Sequence, residues 1–218
     1  MTGLDEVYRQ RFPEVSRRQK DVIWPEIVRY LERWVDPSAP VLDIACDSGY
    51  FIRNVHAAER WAADLRDVRA ELPPGVHFVQ ADGLELDRFV PVGSFGTVFM
   101  SNYLEHLHGP EAVIDQLTVV RRLLRPGGRA IILQPNVRLV GGAYWDFIDH
   151  RVALTDRSLA EAGGLAGLRQ VRLIPGFLPY STKSRLPSHP LLVRAYLRFP
   201  PAWRILGRQT LYVAEAPR

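Results

Sequence analysis

Three aspartates lie at or beside the ends of three short apolar runs. Asp43 stands in Val41-Leu42-Asp43-Ile44-Ala45, Asp64 ends Arg60-Trp61-Ala62-Ala63-Asp64, and Asp82 follows Val76-His77-Phe78-Val79-Gln80-Ala81. Asp64 falls 21 positions after Asp43. In sheets with a nucleotide crevice, an acid about 20 residues beyond the first turn accepts from a ribose hydroxyl pair. Asp82, in Ala81-Asp82-Gly83, can accept from an adenine amino group, or can be an ordinary Asp-Gly turn. The alternative for Asp43 is a turn residue capping loop amides, and for Asp64 a solvated acid at a strand end. Between the first two acids, Cys46-Asp47-Ser48-Gly49 forms a turn of small residues. Such a turn lets backbone approach a ligand closely.

The elements that must position these residues follow from the pattern. Val41–Ala45, Arg60–Asp64, Val76–Ala81, Thr97–Ser101 and Arg129–Gln134 read as five strands, with Val171–Ile174 and Gln209–Ala214 as a sixth and seventh. Helix-compatible stretches such as Glu111 to Leu124 separate most of them. That alternation predicts a parallel sheet with helices on both faces. Continuous apolar runs are what strands buried on both faces look like. Residues 5 to 35 read as helical, with Ile23, Trp24, Ile27, Val28, Leu31, Trp34 and Val35 on one face. Pro25 suits the first turn of a helix, which predicts two helices here. A further helix starts near Leu154, capped by Thr155 or Asp156. No linker or repeat divides the chain. The expected division is a helical cap over 1–36, a ligand-binding core over 37–136 and a substrate side over 137–218.

Composition narrows the class. Apolar residues make up 47% and charged residues 24%, as in soluble globular proteins. No apolar run approaches the roughly 20 residues needed to span a bilayer. Met1 to Glu6 is polar and acidic, so no signal peptide is expected. Cys46 is the one cysteine, which fits a reducing cytoplasm. The net charge is +4 and the pI about 9.4, with Lys20 and Lys183 the only lysines. An acidic partner such as phosphate or anionic lipid would suit that charge. No dense basic run with interleaved aromatics occurs, so nucleic acid is not expected. The first turn lacks the G-x-G-x-x-G pattern of nicotinamide-dependent oxidoreductases.

Taken together, Val-Leu-Asp-Ile-Ala-Cys-Asp-Ser-Gly from Val41, Ala-Ala-Asp-Leu from Ala62, Gln-Ala-Asp-Gly from Gln80, Phe-Met-Ser-Asn-Tyr-Leu-Glu-His-Leu from Phe99 and Leu-Leu-Arg-Pro-Gly-Gly-Arg from Leu123 resemble, in order and spacing, the class I S-adenosylmethionine (SAM)-dependent methyltransferases. The resemblance spans residues 41 to 136. It implies a Rossmann-like, doubly wound α/β fold: a mostly parallel seven-stranded sheet with an antiparallel last strand, N-terminal helices and a C-terminal insertion before that strand. It implies SAM as cofactor, held by Asp43, Ala45, Asp47, Gly49, Asp64, Leu65, Asp82, Gly83, Ser101 and Asn102. Three positions depart from the family. Ala45 and Asp47 stand where its first loop has glycine, and Gly96 stands where Asp is common. Asp47 either faces the positive amino group of SAM or crowds the site. Tyr144-Trp145-Asp146 to His150, with Thr155-Asp156-Arg157-Ser158-Leu159, also resembles a bacterial saccharide-modifying subgroup.

Methyl transfer to oxygen calls for a base, and imidazole is suited to that task near neutral pH. His106, just past the fourth strand, is one candidate. His150, with Asp149 beside it and Asp146 one helical turn back, is its rival. The alternative for both is packing or capping. His108 reads as a loop residue and Cys46 as a small packing residue. No His pair has metal-ligand spacing, so no metal is expected. The expected acceptor is a small molecule, a saccharide or a phosphorylated compound. Tyr144 and Trp145 would offer flat faces to a sugar ring. Lys183 and Arg185 would hold phosphate or carboxylate from a lid over 176–188. The apolar and arginine-rich stretches Leu191–Phe199 and Trp203–Leu206 are explained by core packing or by weak peripheral contact with anionic lipid. The function expected is SAM-dependent O-methylation of a sugar or similar hydroxylated metabolite. The alternatives are a SAM-fold partner or sensor without turnover, and a SAM-binding cyclase.

Overall fold

The computed structural model describes residues 14–180 and 189–218. Its strands are β1 (Pro40–Ile44), β2 (Glu59–Asp64), β3 (Val76–Gln80), β4 (Phe95–Ser101), β5 (Leu124–Pro135), β6 (Arg169–Leu178) and β7 (Gln209–Glu215). They form one seven-stranded sheet in the order β3-β2-β1-β4-β5-β7-β6. β1 pairs in parallel with both β2 and β4, so the strand order reverses between β1 and β4. That switch point opens a crevice beyond the carboxyl ends of the strands. β7 runs antiparallel to both its neighbours, β5 and β6, as expected.

Side chains alternate between the faces of the sheet because successive strand residues point opposite ways. Val41, Phe99, Ile131, Leu133, Leu211 and Val213 enter one core cluster. Leu42, Ile44, Val98, Met100, Ile132 and Tyr212 enter the other. The first cluster is covered by Ile27, Val28 and Leu31 of α1 (Glu14–Leu31). The second is covered by Val113, Leu117 and Val120 of α2 (Pro110–Leu123). A one-turn helix, α3 (Val137–Val140), follows β5, and α4 (Asp156–Leu165) adds Leu159 to the second cluster. Thr155 caps α4 in a reciprocal arrangement with Ser158. On the first face, α5 (Pro190–Arg198) and α6 (Pro200–Leu206) supply Leu197 and Trp203. Each such buried side chain contributes about 1.5–3 kcal/mol.

Two expectations are corrected. Residues 14 to 31 form one helix, with Pro25 inside it. Proline removes one helical hydrogen bond. The packing of Ile27, Val28 and Leu31 on the sheet, with the double hydrogen bond from Arg194 to buried Glu26, holds the helix through that gap. The crossovers also differ. β1 to β2, β2 to β3 and β3 to β4 are joined by turns and short 3-10 segments, including Arg69–Glu71 and Gly83–Arg88. Pro73-Pro74-Gly75 and Pro91-Val92-Gly93 break the second and third of these connections, leaving no length there for regular helices.

Candidate active site

The loop after β1 is held from both sides. Cys46 N–H donates to the Ala63 carbonyl at 3.1 Å, and Gly49 N–H to the Cys46 carbonyl at 2.8 Å. Phe51 stacks on Phe99 of β4 with centroids 3.9 Å apart, clamping the loop to the sheet. The loop needs left-handed backbone at Ala45 (φ 56°), Asp47 (φ 48°) and Gly49 (φ 69°). The chain therefore keeps the shape of a glycine loop while placing side chains at two of its three left-handed positions. Aspartate tolerates that region better than alanine. Replacing Ala45 with glycine should relieve about 1–2 kcal/mol of strain. It should return about 0.5–1 kcal/mol of that through a freer unfolded chain. The net expectation is a Tm higher by about 1–3 °C in calorimetry. A lower Tm would mean that the Ala45 methyl group makes contacts worth more than the strain.

Asp64 is buried at the carboxyl end of β2. Its Oδ2 accepts from Asp47 N–H at 3.0 Å, and its Oδ1 from Arg66 N–H at 2.9 Å and Arg66 Nε at 3.1 Å. Arg66 Nη2 also reaches Asp47 Oδ1 at 3.0 Å. The Asp47 carboxylate is thus partnered by Arg66, a residue the sequence did not single out. Asp43 is buried beneath the loop. Burial holds its carboxyl well above the usual carboxylate range, opposed by a backbone hydrogen bond from Ile52. Burial likewise pushes the Cys46 thiol up, as suits a packing residue.

Further along the edge, Leu65 stands exposed beside Asp64. Asp82 caps the next turn by accepting from Leu84 N–H at 3.0 Å. Gly83 has no room for a side chain: a Cβ there would strike the Tyr103 hydroxyl and lie 2.7 Å from Gln116 Oε1. Ser101 ends β4, and Asn102 follows in left-handed backbone, its N–H on the Leu133 carbonyl at 2.9 Å. A buried carboxylate, an open turn and an exposed leucine along one edge suit the ribose, the backbone-facing chain and the adenine of SAM. The donor set fits the cofactor.

A second group gathers beyond β4 and β5. His106 is 21% exposed, with Nδ1 3.1 Å from the Asp149 carbonyl and 3.3 Å from Asp149 Oδ2. A carbonyl only accepts, so Nδ1 carries a proton and directs it at Asp149. Nε2 lies 3.8 Å from Glu105 Oε1. Glu105 is fully enclosed, accepts from Gln134 Nε2 at 2.9 Å, and is held above the usual carboxylate range by that burial. His150, 9% exposed, packs among the rings of His106, Tyr144 and Phe147. His108 meets Arg151 on the surface.

Several expectations change here. Tyr144 offers no open face: its ring is buried and its hydroxyl donates to the Val152 carbonyl. The short link from α3 folds it inward. Trp145 beside it remains half exposed. His150 packs its ring against three others and is little exposed. Although no metal was expected, Glu105, His106 and His150 bring donor atoms within 4.8 Å of one another, close enough to grip a divalent ion. Sequence spacing hides this trio because two chain segments converge on it. Of the expected lid, Gly176 to Leu178 belong to β6. Lys183 and Arg185 lie outside the described residues.

Comparison with known proteins agrees with this architecture. A sequence search among curated proteins found no significant match. A SAM-dependent methyltransferase from Archaeoglobus fulgidus shares 16% identity, over 90% of this chain and 94% of its own, with a TM-score of 0.66. Geranyl diphosphate C-methyltransferase from Streptomyces coelicolor, solved with S-adenosyl-L-homocysteine, shares 14% over 87% and 76%, with a TM-score of 0.62. The [4+2]-cyclase SpnF shares 16% over 88% and 80%, with a TM-score of 0.61. These likenesses concern the fold. Residues 15–188 match the family described as "Methyltransferase domain", which is most of the chain. The protein belongs to that family and is a class I SAM-dependent methyltransferase.

Proposed function

We propose that the protein methylates a hydroxyl oxygen of a small hydroxylated acceptor, a sugar or a similar metabolite. The observation that carries this reading is the His106–Asp149 pair. An imidazole fixed through Nδ1 by its neighbour, with Nε2 as the remaining acceptor, is what deprotonation of a hydroxyl nucleophile needs. SAM supplies an electrophilic methyl group. Around it, Asp64 is assigned to the ribose hydroxyls, Leu65 to one face of the adenine, and Asp82 to the adenine edge. Asp43 shapes the loop from below. His106 takes the acceptor proton at Nε2 while Asp149 keeps the ring turned. Half-exposed Trp145 gives an acceptor a flat surface on the same edge. Alignment of acceptor and methyl group supplies the rest of the rate.

The test starts from purified protein. Mass spectrometry should find bound SAM or its demethylated product. Incubation with carbon-13 methyl-labelled SAM and a panel of sugars, sugar phosphates and polyols should then give a methyl ether, identified by NMR. Products methylated only at carbon or nitrogen would overturn the assignment to oxygen.

A further inference from the structure

The α5–α6 pair turns apolar side chains in two directions. Inward, Leu197 and Trp203 join the core. Outward, Leu191 is 61% exposed, Leu192 52%, Phe199 60% and Ile205 70%. With Leu206 these make five of the twelve large apolar residues exposed among the described residues, all within 191–206. Core packing accounts for the inward set and leaves the outward set unexplained. Single exposed leucines are ordinary, but a cluster of them marks a contact surface.

Charge says what that surface meets. From Ala162 to Ala214 the sequence carries eight Arg or Lys and no Asp or Glu. The chain as a whole is only +4, so the remainder carries net negative charge and the basic character is concentrated here. Arg194 points inward and is spent on Glu26. Arg198 and Arg204 are exposed on the same helices as the outward leucines, and no ion pair joins them to a described acid. Exposed aliphatic and aromatic side chains flanked by arginines that no described acid pairs suit an anionic bilayer surface, where chains bury among acyl groups and guanidiniums meet phosphates. No described helix is long and apolar enough to cross a membrane, so the contact is with the surface.

We propose that α5 and α6 dock the protein on anionic phospholipid membranes. The pair connects β6 to β7, and both joins lie at the sheet edge that carries the candidate active site. Docking would thus bring that edge to the lipid surface, toward an acceptor hydroxyl displayed there; this last clause alone rests on the proposed O-methylation. The docking itself is tested without any methyl transfer.

The full chain is floated with phosphatidylcholine vesicles, and with vesicles in which roughly one-third of the lipid is phosphatidylglycerol. Anionic vesicles should capture it at least about tenfold more strongly, and salt should weaken the capture. The double change R198Q and R204Q should reduce binding roughly 30-fold, at about fivefold per arginine. L191S with I205S should reduce it at every lipid charge. All four positions are exposed, so unchanged circular dichroism and melting should accompany both variants. Equal binding to neutral and anionic vesicles, or none, overturns the proposal. So does a dimer seen by light scattering that L191S with I205S dissolves, since the face would then belong to a second copy.

Discussion

Replacing His106 with asparagine should lower kcat about 10²-fold or more while SAM affinity stays unchanged. Asparagine keeps a polar side chain of similar reach and can still meet Asp149, but it cannot accept a proton. The cofactor contacts proposed for Asp64, Leu65 and Asp82 lie at the ends of β2 and β3, away from His106, so binding measured by calorimetry should not move. His150→Asn is the comparison. Its ring is packed among Tyr144, Phe147 and His106, so its loss should disturb stability before chemistry. The trio of Glu105, His106 and His150 gives His106 a rival role as a metal ligand. Dialysis against a chelator separates the two. A base needs no metal, so chelated wild-type enzyme should keep its rate. A wild-type enzyme silenced by chelation and restored by a divalent ion would make His106 a ligand. If neither histidine change slows the chemical step, the reaction proceeds by alignment alone.

Asp64→Ala should weaken SAM binding roughly ten- to a hundredfold. Two ribose hydroxyls would lose a charged acceptor, and a hydrogen bond to a charged group is worth about 1.5–3 kcal/mol. Arg66 and the Asp47 N–H hold the carboxylate oxygens to which a ribose would donate. Arg66 must therefore yield at least one of them, and Arg66→Ala should not weaken binding as Asp64→Ala does. Calorimetry on folded Asp64→Ala that gives wild-type affinity would remove Asp64 from the site.

The sheet was legible in the sequence because its central strands are largely apolar runs: β1 and β4 lie within two residues of their expected limits, whereas β5 begins five residues early, at Leu124, and takes in the Pro126-Gly127-Gly128 turn expected to precede it. β6 was read short: its first residues are exposed at the sheet edge, and Pro175-Gly176 interrupts its pattern. Pro25 misled for the opposite reason, since tertiary packing outweighed a local breaker. The acids at the strand ends were visible through their spacing. Arg66 was not, because a guanidinium two residues past an acid looks like any surface arginine until the first loop folds back on it. Asp149 beside His106 lies 43 positions away in sequence, and only the pairing of β4 with β5 brings the two segments together. Trp145 and Tyr144 looked alike as sequence, and the turn after α3 decides which of them is buried.

The antiparallel last strand has a consequence for the order in which the molecule can be made. β7 is synthesised after β6 yet lies between β6 and β5. Until residue 215 has emerged from the ribosome, β6 has no partner in the sheet and β5 presents an unpaired edge lined by Ala130, Ile131, Ile132 and Leu133. The nascent chain must therefore hold a gap open and close it in one late step, joining contacts far apart in sequence. Such steps are slow and leave edges exposed to other chains. Chaperone demand during synthesis should consequently concentrate on the interval between release of β5 and arrival of β7.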